Sequence, residues 1–515
     1  MQPSVIACDL GTGGLKAAVF DATGRTLAER LVSYETYYPK PSRHEQRPQD
    51  WWGAIAACLP DLLASTGVER SSVRAIVLSG HSLGCIPVAA DGTLLQTSTP
   101  IWSDGRAEAE AADFFRRFDE TAWYRVTGNG FPAPLYPLFK ILWLRRWQPE
   151  ILSRARWILG TKDYINFRLT GRIATDHSYA SGSGLYDLRA RRYSEPILDA
   201  AGIDPGLFPA PVESTSIIGE VLPDVAASLD LPPGVRVVAG GVDNSCMALG
   251  SGTYREGEIF CAMGSSSWLT ISSGRPLLED NVRPYVFTHV VPDLYISATS
   301  IFSSGTSLAW VRNMLLPDIA AAAEADGADG YEALMKLADT APRGANGLVF
   351  VPTLGGGTSF EGGPSVRGAF VGLDLKHTRA DIIRATLEGV ALGLRAALDE
   401  LRRMTAVRDE MIVVGGGARS PLWRRIFADV FDCAIVKTNV DQQAATLGAA
   451  ALALVGVGLW PDFEGVDALL AAEPPDRPDP AAKPVYELAL GAYRKAATQQ
   501  REAADLLSKL RSLSQ

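Results

Sequence analysis

Residues 5–21 read VIACDLGTGGLKAAVFD. Val5, Ile6 and Ala7 lead into a glycine turn, and Ala17, Ala18, Val19 and Phe20 lead out of it, which predicts a strand, a tight turn and a second strand. Residues 258–272, EIFCAMGSSSWLTIS, echo the pattern. With Cys261 laid on Cys8, Gly264 falls on Gly11 and Ser265 on Thr12. One short hairpin recurs by chance. Two, one opening each half of the chain, point to two related α/β domains facing a shared cleft. The copies differ in charge, because Asp9 and Lys16 stand where the second copy has Ala262 and Leu269. The first hairpin is therefore expected to handle a cation, and the second to contribute backbone donors.

The chain has 515 residues, too many for one ordinary core. It is 47% hydrophobic with a net charge of -9, and it has no basic stripe, which argues against a nucleic-acid partner. The six cysteines form no CxxC pair and several sit in apolar runs, so they read as reduced core residues of a cytoplasmic protein. The five histidines are scattered without metal-ligand spacing. The opening MQPSVIACDL lacks a basic stretch followed by an apolar one, so no signal peptide is expected. Residues 444–460 are almost all apolar, but they fall short of the roughly 20 residues a membrane span needs and contain glycines. They read as a packed core helix followed by a turn, and no membrane association is expected.

Outward from the hairpins, strands are expected at Val73–Leu78, Val235–Ala239, Gly347–Pro352 and Met411–Val414. Several end in glycine, which places polar groups at the carboxyl edge of a sheet. Thr378 and Asp381 form a capping-box-like start to a long helix. Asp441 reads as the N-cap of the alanine-rich helix, Leu470–Lys483 as a linker, and Pro484–Leu510 as a last amphipathic helix.

Phosphoryl transfer needs a phosphate cradle, a metal-binding carboxylate and a base for the acceptor hydroxyl. There is no GxxxxGK[ST] run, so the cradle must be something other than a P-loop. Residues 9–12 and 264–267 are candidates, although each is also a plain hairpin. Asp243, in GGVDNS, follows a strand and could accept a proton; the same position suits a helix N-cap. Gly415-Gly416-Gly417-Ala418-Arg419 could form an adenine shelf or simply a tight turn. Trp102, Asp104 and Arg106 in WSDGR suit sugar hydroxyls or a surface turn, and His81 reads as a cleft residue or a structural one.

From about Ser4 to Val455 the chain resembles the FGGY carbohydrate kinases, and its xylulokinase branch most. GAFVGLD (368–374) with DIIRATLEG (381–389) fits that family's second signature throughout. The first signature fits at Pro137, Lys140, Ile141, Trp143 and Leu144 but not at Leu135 or Trp147. DLGTGGLK (9–16), WSDGRA (102–107), TKDYINFRLTG (161–171), GGVDNS (240–245) and GGGARSPLW (415–423) also match. The resemblance implies two actin/hexokinase/Hsp70-like (ribonuclease H-like) α/β domains with an interdomain cleft. Residues 1–247 would bind sugar and metal, and residues 248–515 nucleotide. It implies ATP and Mg2+ as cofactors, a small sugar as substrate, and allows a homodimer. Asp9 would organise the magnesium. Thr12 and Lys16 would lie near the transferred phosphoryl, Gly264, Ser265 and Ser266 would hold phosphates, and Gly305 would lie near the nucleotide. Gly415, Gly416 and Arg419 would flank adenosine, Asp243 would be the base, and Trp102, Asp104 and Asn244 would line the sugar site with His81 and Ser82. The chain departs at Gly80-His81-Ser82-Leu83-Gly84, where xylulokinases usually present Gly-Gln-Met-His-Gly, and the loop at 355–363 lacks the usual Gly-Glu-Arg. The expected reaction is phosphorylation of a ketopentose such as D-xylulose. Kinases for a ribulose, a deoxy sugar or erythritol are the near alternatives, and a nucleotide-binding module without sugar kinase activity is the distant one.

Overall fold

The computed structural model describes residues 2–358, 360–441 and 443–513. Its frame is two six-stranded sheets. The first uses β1 (Ser4–Leu10), β2 (Gly14–Asp21), β3 (Thr26–Ser33), β4 (Val73–Gly80), β5 (Ile217–Glu220) and β6 (Arg236–Val242), in the order β5-β6-β4-β1-β2-β3. The second uses β7 (Ile259–Met263), β8 (Ser267–Ser273), β9 (Tyr285–Thr288), β10 (Tyr295–Ile301), β11 (Glu410–Val414) and β12 (Ala434–Lys437), in the order β9-β10-β8-β7-β11-β12. In each sheet an antiparallel hairpin is extended by parallel strands, β4 and β6 in one and β11 and β12 in the other. The duplication expected from the two hairpins is therefore present in the topology.

The register corrects one detail. Asp9 pairs with Lys16 and Leu10 with Leu15, leaving four residues in the first turn. Met263 pairs with Ser267, leaving three in the second. The residue opposite Ala262 is thus Trp268, and Leu269 lies opposite Cys261. One fewer turn residue shifts the whole returning strand.

Helix α1 (Asp243–Gly250) follows β6, α2 (Gly330–Ala338) and α3 (Arg379–Arg402) lie between β10 and β11, α4 (Ala444–Gly456) follows β12, and α5 (Lys483–Leu513) ends the described chain. The capping box at Thr378 and Asp381 is formed. Asp441 does not cap α4, which begins at Ala444 after Gln443; its side chain is engaged elsewhere. Nor is 470–483 a free linker. Asp476 and Ile435 exchange backbone hydrogen bonds at 2.9 and 3.0 Å, so the segment runs along the exposed edge of β12.

Packing crosses the sequence halves. α4 is buried against the first sheet and α1, sharing a core with Val5, Ala7, Val77 and Val238. Where α1 meets α4 the backbones nearly touch. A Cβ on Gly250 would stand 1.9 Å from the Ala444 carbonyl oxygen, and one on Gly448 1.8 Å from that of Cys246. Small residues permit this approach. All six cysteines are free and buried. Among the described residues no helix is long and apolar enough to cross a membrane.

Candidate active site

Three parallel strands of the first sheet end side by side. Asp9 and Gly241 flank Ser79, and Leu10 and Val242 flank Gly80. The residues just beyond, Gly11-Thr12, His81-Ser82 and Asp243-Asn244, must therefore share one edge, where α/β folds place their ligands. Asp243 opens α1 and accepts a hydrogen bond from the Asn244 N–H at 2.7 Å. Its carboxyl is pushed up to about 7, first because the protein desolvates it and then because Asp9 is also negative. Asp9 and Asp243 thus share one electrostatic environment.

Asp9 faces Lys16 across the hairpin. Burial raises its carboxyl, while Ser79 and Lys16 oppose the shift. Its Oδ1 is buried without a hydrogen-bond partner. An orphaned carboxylate oxygen in a native fold marks a place for a bound ion or water, and that fits a magnesium ion. Among the described residues no group of three or more acidic, histidine or cysteine side chains could hold a metal. Magnesium is usually held by one or two carboxylates, several waters and substrate phosphates, so a single Asp9 is adequate.

Around this edge, Trp102 is partly exposed and its Nε1–H donates to Thr12 Oγ1 at 2.9 Å. Asp104 does not line open space. It is wholly buried, and its oxygens accept from Arg106 and from the His44 N–H at 2.8 Å. It braces the loop that carries Trp102. His81 is likewise buried, with Nδ1 at 3.4 Å from Thr161 Oγ1, and burial lowers its imidazole to about 4, so it stands neutral inside the lobe. Ser82 is half-buried beside it. Leu83 turns inward at φ 61°, and Lys140 donates to its carbonyl oxygen at 3.0 Å and to that of Ile101 at 2.7 Å. Lys140 therefore ties the two loops together, a role its position in the first signature does not reveal.

The second lobe holds a cavity of about 930 Å³. Gly264, Ser265, Gly305, Gly416 and Arg419 line it, as does α2 through Tyr331, Glu332 and Lys336. Ser266 and Gly415 stand in the same turns without lining it. The Gly264 N–H donates to Ser266 O and the Gly305 N–H to Gly264 O, both at 3.0 Å, so these amides are already engaged. Their contribution is close approach: a Cβ on Gly305 would meet Gly264 O at 2.6 Å. Asp441 accepts from the Gly415 N–H at 2.7 Å and from Arg419 at 2.9 Å, fixing the glycine turn. Sequence reasoning missed α2 and the brace at Asp441. For α2 the usable signal was Asp329, which caps it.

The second signature has a structural explanation. Arg384 and Glu388 form a buried pair at 2.7 Å, Tyr486 of α5 donates to Glu388 at 2.8 Å, and a Cβ on Gly389 would stand 2.2 Å from Phe350 O. The motif welds α3 to its surroundings.

Comparison with known proteins matches residues 4–250 to the N-terminal domain, and 259–457 to the C-terminal domain, of the FGGY family of carbohydrate kinases. The chain is 29% identical over 464 residues to a xylulose kinase of Bacillus subtilis, covering 89% of each. It is 28% identical over 474 residues to a gluconokinase of the same organism, covering 92% of this chain and 91% of the relative. A solved xylulose kinase from Rhodospirillum rubrum superposes with a TM-score of 0.87 at 28% identity, over 96% of this chain and 98% of that one.

Proposed function

Since the chain belongs to the FGGY family of carbohydrate kinases and is a sugar kinase, we propose that it moves the γ-phosphoryl group of ATP onto a hydroxyl of a small sugar, with D-xylulose the leading substrate and Asp243 the base. The observation that carries this reading is the carboxyl of Asp243, raised to about 7 at the edge it shares with Asp9 and Thr12. A base poised near the working pH takes a proton most effectively from an alcohol. Residues 1–247 hold the sugar between Trp102, Ser82 and Asn244. Residues 248–515 hold the nucleotide in the cavity lined by Gly264, Ser265 and Arg419. Asp9 would hold magnesium through Oδ1, and the ion when bound offsets charge on the phosphate oxygens. Lys16 and Thr12 orient the transferred group, and closure of the lobes excludes water. Six buried, reduced cysteines favour the cytoplasm.

Asp243→Asn is expected to lower turnover at least roughly 10²-fold while leaving ATP affinity nearly intact. A fully active variant would remove Asp243 from the reaction. A second substrate class has support of its own. The gluconokinase relative is nearly as similar as the xylulose kinase, and Ser82 and Leu83 replace the Met and His usual at this loop. ADP release measured across ketopentoses, polyols and aldonic acids decides between them: highest kcat/KM on D-xylulose supports the first, highest on an aldonic acid the second.

A further inference from the structure

The strand that delivers Asp243 is not regular. β6 pairs with β4 through Val238 and Val77, then through Gly241 and Ser79. Two residues, Ala239 and Gly240, stand where the partner has only Leu78, which makes a β-bulge. Gly240 has φ 72°, and a Cβ there would stand 1.9 Å from Leu78 O. A bulge strands backbone groups that the ladder no longer pairs. Here the Ala239 and Gly240 N–H groups donate to the Ser216 and Ser214 carbonyl oxygens at 2.9 and 3.0 Å, and side chains engage two further groups. The Ala239 carbonyl oxygen accepts from Lys162 Nζ at 3.2 Å and from Asn166 Nδ2 at 3.0 Å. The Val242 N–H donates to Ser178 Oγ at 3.0 Å, and that hydroxyl donates to Asp176. Asp176 also accepts from Ser214 Oγ at 2.8 Å and pairs with Lys162 at 2.8 Å, while Lys162 reaches Asp163 at 2.6 Å. Lys162, Asp163 and Asp176 are all buried. Burial alone would lower the Lys162 ammonium, but the two carboxylates outweigh it and keep it charged.

We infer that the buried Lys162–Asp163–Asp176 cluster is a positioning device that grips the bulge on both sides, with Ser178 as the link that fixes the Gly241–Val242 peptide just before Asp243. The inference rests on Asp243 being the base. A buried ion cluster is weak evidence for stability, and specifying one geometry is its better-attested use. The bulge turns the end of β6, and the cluster holds that turn where a reacting carboxylate must not drift.

The test uses the full chain with Ser178→Ala, Ser178→Thr, Asp243→Asn, and a control cavity, Leu62→Ala, on the helix Pro48–Thr66 in the core of the first lobe. Ser178→Ala is expected to lower kcat roughly ten- to hundredfold. It should leave KM for ATP within about twofold and move the acid limb of the kcat–pH profile. Hydrogen exchange of the peptide spanning 239–244 should speed up about tenfold. Ser178→Thr, which keeps the hydroxyl, should recover most of kcat. Leu62→Ala should lower Tm without moving the limb. Wild-type kcat and wild-type exchange in Ser178→Ala would overturn the inference. Full activity in Asp243→Asn would instead overturn the base, and the exchange rate at 239–244 still reports on the grip independently. If Ser178→Ala is lowered only in Tm, as Leu62→Ala is, the cluster is merely structural and the inference fails.

Discussion

At Asp243 the raised carboxyl defines a pH window. Its value moves from 3.8 to about 7 on folding, so between those values the folded chain keeps a proton that the unfolded chain has released. The contribution of this group to stability is therefore greatest at low pH and falls as pH rises through that window. The proposed catalytic role runs the other way, because a base must be unprotonated. We predict that kcat/KM declines below about pH 7 along a limb of unit slope, measured on a profile from pH 5 to 9. Asp243→Asn should remove the penalised charge and raise stability above pH 7 by roughly 1–2 kcal/mol, discounted for partial exposure, read from urea midpoints at two pH values. Asp441 belongs to the same scale. Asp441→Ala frees the Gly415 N–H and Arg419, and is expected to raise KM for ATP about tenfold with little change in kcat, measured by steady-state kinetics. Asp9, Lys16 and Asp243 stand out in the sequence as candidates, because a charged hairpin and an acid after a strand are local patterns. The brace at Asp441 and the burial of Asp104 were not, since both depend on partners far off in sequence, Gly415 and His44.

Among elements, the hairpins and the capping box of α3 were readable because turn chemistry and caps are written within a few residues. The shorter second turn was not, since two similar sequences align equally well with or without the missing residue. The bulge in β6 escaped for a related reason: a paired glycine run permits a bulge without requiring one. The α1–α4 crossing is just as silent in sequence, as Gly250 and Gly448 are 198 positions apart by their numbering and each looks like an ordinary helix glycine. Gly448→Ala is expected to cost at least about 2 kcal/mol, because the added methyl has backbone as its neighbour and backbone yields little. Chemical denaturation checks the stability. A variant as stable as the parent would mean that the helices separate freely.

For the whole molecule, two sheets on a common plan follow from the repeated hairpin, and the family profile covers both halves. What sequence order hides is that the halves are interlocked. α4 comes from the second half and fills the face of the first sheet beside Val5, Ala7 and Val238. Residues 1–250 expressed alone are therefore expected to remain unfolded or aggregate, with that apolar face exposed, and to recover structure when co-produced with 251–515; circular dichroism and gel filtration distinguish the outcomes. The same interlock bears on engineering by exchange. A chimera drawing its first half from one relative and its second half from another would have to import residues 444–456 along with the first half. The transplantable module in this protein is thus a discontinuous one, and a single crossover in the gene will split it.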